Sequence, residues 1–248
     1  DYELDRVAEA IAAGTKADSV EGKTLSLVVA AFGRMFTGEG IPNVKAAISI
    51  PPMISTHESK IDLDYFTAVD DTPAEDEGSG AAHLDVFRYT SNVSHQGIPI
   101  NRDQFWINWP VLDTHPELAR GELRILVRNM LNALPSGKTS STAPKSLAEV
   151  INAVEDGGTP HQWTPHTPIK DEGEGYMIPT IREFTKIVGK WRDRRRAYAE
   201  AYGTPMTQEW VTGMADDEVL AGICENRVSE PDLVEGVVDW IMGGAPNE

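Results

Sequence analysis

Two stretches of the chain repeat their apolar residues at the spacing of a helix face, and a third alternates them as a strand does. Residues 117–134 place Leu118, Leu123, Leu126, Val127, Met130, Leu131 and Leu134 at helical intervals, with Pro116 near the start and Pro135 just past the end. Residues 179–202 carry a second stripe of Ile181, Phe184, Ile187, Val188, Trp191, Tyr198 and Tyr202. Residues 61–69, IDLDYFTAV, set Ile61, Leu63, Tyr65, Thr67 and Val69 against Asp62, Asp64, Phe66 and Ala68. That period of two, rich in β-branched and aromatic residues, predicts a strand. Phe66 breaks its pattern, an aromatic on a face otherwise given to acids and alanine. Residues 85–93 predict a second strand, which closes a hairpin across the acidic Pro/Gly loop 72–80.

The remaining elements are shorter. Residues 2–13 predict a helix with Leu4, Val7, Ala8 and Ile11 on one face, stopped by Gly14. Residues 24–36 form an apolar run that fits either a strand with a turn or a short buried helix. Residues 44–50 predict a strand ended by Pro51 and Pro52. The Pro- and Trp-rich stretch 99–116 reads as a loop, as do 135–145 and 157–175, while 147–154 fits a short strand or helix. A short acidic helix over 231–242 closes the chain. No internal repeat is visible.

The 248 residues are 40% hydrophobic and 25% charged, enough for one large or two small domains. No apolar run reaches the roughly 20 residues of a membrane helix, and no secretory signal opens the sequence. Cys224 is the single cysteine, which excludes an internal disulfide and disfavours a zinc site. A soluble cytoplasmic protein is the expectation. Because the chain opens on Asp1 and runs directly into a helical pattern, the expectation is a fragment, or a chain from which disordered stretches have been removed. The net charge of −17 argues against a nucleic-acid partner, but the field that matters is local. Acids concentrate at Asp70, Asp71, Glu75, Asp76 and Glu77, and again over 209–248, where Arg227 is the sole base. Bases concentrate on the helix 179–202, whose exposed face is expected to hold Arg182, Lys186, Lys190, Arg192, Arg194, Arg195 and Arg196 against Glu183 and Asp193. Such segregation suits a phosphate path or an acidic neighbour as well as a solvated face.

Candidate chemistry is thin. Gly137-Lys138-Thr139 lacks the glycine a phosphate loop needs five residues earlier, where Asn132 stands. Lys138 and Lys145 remain as simple phosphate ligands or as parts of a solvated connector. Asp70 and Asp71, with Asp62, Asp64 and His57, suggest a magnesium site. Adjacent carboxylates on a strand point to opposite faces, however, which favours a strand end running into an acidic loop. Ser55 and His57 with an aspartate would make a hydrolase triad, but no serine sits in a nucleophile elbow.

Residues 31–40, AFGRMFTGEG, and the ungapped stretch 49–71, SIPPMISTHESKIDLDYFTAVDD, resemble the crRNA-binding backbone subunit of the type I-E CRISPR Cascade complex, the subunit present in several copies. Looser similarity continues through Phe87-Arg88-Tyr89, the 118–134 helix and 176–191. The resemblance implies an α+β fold: a ferredoxin-like (RRM-like) palm with helical finger additions and a protruding thumb hairpin. It divides the chain into a helical or finger remnant with the start of the thumb over 1–43, the thumb over 44–93, and the palm with helical additions over 94–248. The family's N-terminal part, with its first palm strand and several basic crRNA contacts, has no counterpart here and is expected to be missing. Copies would stack along the crRNA, each thumb reaching over RNA bound by its neighbour. Phe66 and Thr67, with Met35 opposite, would kink the RNA, and Val69, Lys45, Lys138 and Lys170 would add contacts. The implied partners are crRNA, target DNA paired to it, further copies of the chain and other Cascade subunits, with no cofactor, metal or membrane. Catalysis is not expected of the subunit, since the family leaves cleavage to a recruited helicase–nuclease. Two rivals stand beside this reading. One is a metal-dependent endoribonuclease of the type III backbone kind, using Asp70 or Asp71. The other is an acidic protein-interaction module docking a partner through its basic helix.

Overall fold

The computed structural model describes residues 23–35, 43–69, 81–133, 146–155 and 163–244. In chain order its elements are α1 (Leu27–Phe32), β1 (Ile54–Ser55), β2 (Asp62–Val69), β3 (Ala81–Tyr89), β4 (Ser94–His95), α2 (Arg102–Asn108), α3 (Val111–Thr114), α4 (Pro116–Asn132), β5 (Val150–Val154), α5 (Met177–Tyr202), β6 (Glu209–Gly213), α6 (Asp217–Ile223) and α7 (Glu230–Met242). Helices and small antiparallel sheets make the class α+β. The described residues contain three two-stranded sheets, β1–β4, β2–β3 and β5–β6, and no four-stranded one. They separate into two compact units, one built from 23–51, 97–155 and 184–244, the other from 52–96 and 163–183.

The first unit is organised by aromatic burial. Phe105, Trp109, Leu123, Val238 and Ile241 are completely enclosed, which brings α2, α4 and α7 around one core with Ala30 and Ala31 of α1. Each indole keeps its polar edge satisfied: Trp109 Nε1–H donates to the Leu25 carbonyl at 3.1 Å and Trp106 Nε1–H to that of Ile241 at 2.8 Å. The stretch 99–116, expected to be a loop, is therefore largely helical. Its prolines mark helix starts, because Pro110 precedes α3 and Pro116 is the first residue of α4, where a missing N–H costs nothing. Asn101 caps α2 by accepting from the Gln104 N–H at 3.0 Å.

The open alternatives resolve as a helix over Leu27–Phe32 and a strand over Val150–Val154. The strand expected over 44–50 is absent. Ala47 and Ile48 both donate their N–H to the Ala31 carbonyl, so this segment wraps the end of α1, and only Val44 and Ile48 form isolated bridges. β6 and α6 were not anticipated. β6 pairs with β5 from Val150↔Gly213 to Val154↔Glu209, and Gly213 has a φ of 147°, where a Cβ would run into the Glu149 carbonyl oxygen. The acidic terminal helix is a core helix: Leu233, Val234, Val238 and Ile241 face inward, while Arg120 and Arg124 of α4 hold Glu235 and Asp239 on its rim. The helix expected over 2–13 lies outside the described residues. No described helix is long and apolar enough to cross a membrane.

Candidate nucleic-acid interface

The second unit presents β2 and β3 as an antiparallel ribbon, in register from Asp62↔Tyr89 to Ala68↔His83, with an irregularity before Val69↔Ala81. The second strand thus lies at 81–89, not 85–93. The shift carries the ribbon further, because each residue of β2 finds a partner.

The ribbon's root is fixed by polar groups that leave it no freedom to slide. His57 is buried and stacks on Tyr176 with ring centroids 3.8 Å apart. Its Nδ1–H donates to the Glu58 carbonyl at 2.8 Å, and its Nε2 accepts from the Val93 N–H at 3.0 Å. Thr56 pairs its backbone N–H with the Val93 carbonyl and its hydroxyl with that of Thr180 at 2.9 Å. Both imidazole nitrogens are engaged in structure. The Ser55 hydroxyl donates to the His57 carbonyl at 2.6 Å, not to the ring, so the paper triad of Ser55 and His57 dissolves. Among the described residues no three His, Cys, Asp or Glu side chains converge as a metal site. Asp70 and Asp71 lie outside them.

Pairing places directly opposed residues on one face of the ribbon. Asp62, Asp64 and Phe66 therefore share a face with Tyr89, Phe87 and Asp85. Phe66, which looked solitary in sequence, stacks on Phe87 at 4.4 Å between centroids and 15° between planes, and Phe87 leans on Tyr89 at 6.2 Å. The three rings form a continuous aromatic strip flanked by carboxylates. The opposite face carries Leu63, Tyr65 and Thr67 with Val86 and Arg88. Leu63 is 52% and Tyr65 66% exposed on this face, and Phe87 40% and Tyr89 39% on the other, so neither face is buried by the unit itself. Phe66 lies about 14 Å along the ribbon from Asp62. Thr67 beside it is exposed, and Val69 ends β2. Phe87 and Tyr89 are the members that sequence reasoning missed; their alternation was visible, but their face depends on register.

Met35 belongs to the first unit and is 88% exposed. Its presentation follows from Gly33, whose φ of 79° ends α1 and whose missing Cβ would otherwise meet the Val44 carbonyl oxygen at 2.8 Å. Arg34 and Val44 then exchange both backbone hydrogen bonds at 2.9 Å, which leaves Met35 in solvent. Lys45 is exposed in the same unit, and its carbonyl is anchored by the buried Asn108 Nδ2–H at 2.6 Å. Lys170 is exposed in the second unit, between the Ile169 bridge to His57 and Asp171. The Asp171 carboxylate accepts from the N–H groups of Gly173 and Gly175, which hold its pKa below the usual range, with help from the charge of nearby Lys60. Lys138 lies outside the described residues.

The basic helix needs a correction. Arg192 and Arg195 do not belong to the solvated face: both donate to Glu209, itself only 8% exposed, at 3.1 and 3.0 Å. Burial lowers the Arg192 pKa, but the hydrogen bond and charge of Glu209 outweigh it and raise the net value. Arg192 also donates to the Ile223 carbonyl. Lys186, Lys190, Arg194 and Arg196 remain exposed.

Solved structures share this fold. One chain, described as a CRISPR RNA-guided surveillance complex, superposes with a TM-score of 0.65 at 22% identity, over 95% of this chain and 82% of its own. Another, described as a CRISPR RNA-guided surveillance complex, pre-nicking, gives 0.67 at 21% identity, over 97% of this chain and 64% of its own. The chain thus spans less than two thirds of the second relative. Comparison with curated proteins gave no match. The chain belongs to the CT1975-like protein family, whose profile matches residues 4–240.

Proposed function

We propose that the chain is a non-catalytic backbone subunit that binds crRNA in a type I-E CRISPR surveillance complex, several copies stacking along the guide. In this reading β2–β3 is the thumb and the helical unit contributes to palm and finger. The observation that carries it is the exposed ribbon with its strip of Phe66, Phe87 and Tyr89. A two-stranded ribbon is marginal in water by itself. Large apolar groups exposed on both faces are accounted for when RNA and a neighbouring copy cover them. Aromatic faces are the surfaces that receive splayed bases of single-stranded RNA. Thr67 and, from an adjacent copy, Met35 would complete the wedge, with Val69, Lys45, Lys138 and Lys170 nearby on the RNA path. The guide would read target DNA by base pairing while the protein supplies shape and charge. Family membership and the shared fold support the same reading.

The test is to co-express the chain with a guide array and the other complex subunits, weigh the native particle, and size its extracted RNA. A mass requiring several copies around RNA of uniform length is expected; a particle without RNA, or with one copy, overturns the proposal. Incubation of the purified chain with single-stranded RNA and magnesium should leave the RNA intact. Cleavage lost on Asp70→Asn or Asp71→Asn would overturn the non-catalytic part.

A further inference from the structure

One exposed feature is not used by the hairpin. Along α5, Lys186, Lys190, Arg194, Tyr198 and Tyr202 follow one another at intervals of four residues, and all five are exposed. Residues four apart are offset by only about 40° on a helix, so they form a continuous ridge that climbs about 24 Å, with a side chain roughly every 6 Å, and winds about 160° around α5. Ala197 and Ala201 border the ridge and are exposed as well, which leaves its flank open. The neighbouring acid Asp193 lies 3.9 Å from Arg196 and three residues after Lys190, so it flanks the ridge; Glu183 and Glu200 are the remaining carboxylates of this stretch, outnumbered by the bases. At the end of the ridge Tyr198 and Tyr202 pack with centroids 5.1 Å apart and planes tilted by 38°, keeping ring surface in solvent. Helix interiors do not require this: the buried side of α5 is served by Val188 and by the Arg192 and Arg195 pairs with Glu209.

We infer that this ridge is a binding site for an extended single strand of nucleic acid, with phosphates on Lys190 and Arg194 and bases stacked on Tyr198 and Tyr202. Charge complementarity selects the occupant. A row of cations concentrated on one helix of a chain of net charge −17 is a local positive strip, and cations in line with aromatic rings are how proteins hold single strands without reading sequence. An acidic protein surface would use the cations but not the tyrosine platform. The inference does not depend on the hairpin's role.

The experiment measures binding of fluorescein-labelled oligo(dT) and oligo(U) 20-mers, and a duplex of equal length, to the whole chain by anisotropy across a salt series. Lys190→Gln with Arg194→Gln should flatten the dependence of log affinity on log salt by about 1.4, at about 0.7 per cation for single strands. Tyr198→Ala and Tyr202→Ala should each weaken binding about 5- to 150-fold at every salt concentration, and the double change more than either. The two homopolymers distinguish RNA from DNA. Thermal melts check each variant, and the single changes Lys190→Gln and Tyr202→Ala replace any double that unfolds. Affinities within twofold of the parent in folded variants overturn the inference. So does equal binding of duplex that ignores loss of the tyrosines, or loss of self-association with oligonucleotide affinity unchanged. Because ridge variants should still retain guide RNA in the assembled particle, failure here is distinguishable from failure of the hairpin reading.

Discussion

The α4–α7 core and the β2–β3 ribbon are both rich in large apolar side chains, yet they dispose of them in opposite ways. In the core, Leu123 and Val238 are sealed at 0% exposure, and the rim is closed by Arg120 and Arg124 on Glu235 and Asp239. In the ribbon, Ile61, Leu63, Tyr65, Phe87 and Tyr89 stay open to water. The core stabilises its unit by removing apolar area from water at about 25 cal/mol per Å². The ribbon leaves the same kind of area for something else to cover. Where a chain keeps such groups exposed on an element too small to be stable alone, the element is built for an encounter.

The contrast can be broken most forcefully from the core side. Leu123→Ala should cost about 2–5 kcal/mol of unfolding free energy, read by denaturant melts, because it opens a cavity in a fully enclosed site; the RNA binding of the proposed function should be unchanged in the folded fraction. At the ribbon's root, His57→Phe keeps a ring on Tyr176 but strips the Val93 N–H of its acceptor. A loss of about 1–3 kcal/mol is expected, with hydrogen exchange accelerated first at the Val93 amide. On the ribbon itself, Tyr65→Ser should change stability by no more than about 0.5 kcal/mol, as exposed positions do, while the RNA particle of the proposed function should lose yield. A destabilised monomer with an unaffected particle would reverse the assignment of roles. The smallest effect belongs to the core's rim. The Arg124 hydrogen bond holds the Glu235 pKa below its ordinary value, so its contribution is fully present above about pH 4.3 and is lost as pH falls through the lowered folded value. Glu235→Gln should remove that acid-side dependence and little else, as a pH series of melts would report.

The long helices were legible because their apolar stripes, mainly Leu along α4 and Ile with aromatic residues along α5, repeat over enough turns to dominate competing signals. The ribbon's first strand was legible for the same reason at period two, and Phe66 was marked as out of place. What misled was local chemistry read without its partners. The prolines around Trp106 and Trp109 looked like loop residues until their positions at helix starts were seen. Arg192 and Arg195 looked solvated because Glu209, which neutralises them, lies 17 and 14 residues further along, on a strand that no pattern announced. His57 looked chemical because its two acceptor and donor partners are backbone groups.

The sequence by itself determined the helical stripes, the alternating strand, the segregation of acids and bases, and the residues that carry the family resemblance. These are one-dimensional properties, since periodicity and charge order survive without knowing what packs on what. Tertiary structure alone decided register, and with it that Phe66 joins Phe87 and Tyr89 in one strip. It decided too which arginines of α5 are spent on Glu209 and which remain in the exposed row with Tyr198 and Tyr202. The physical reason is common to both: a side chain's role is fixed by the neighbour that desolvates or neutralises it, and that neighbour is supplied by another part of the chain.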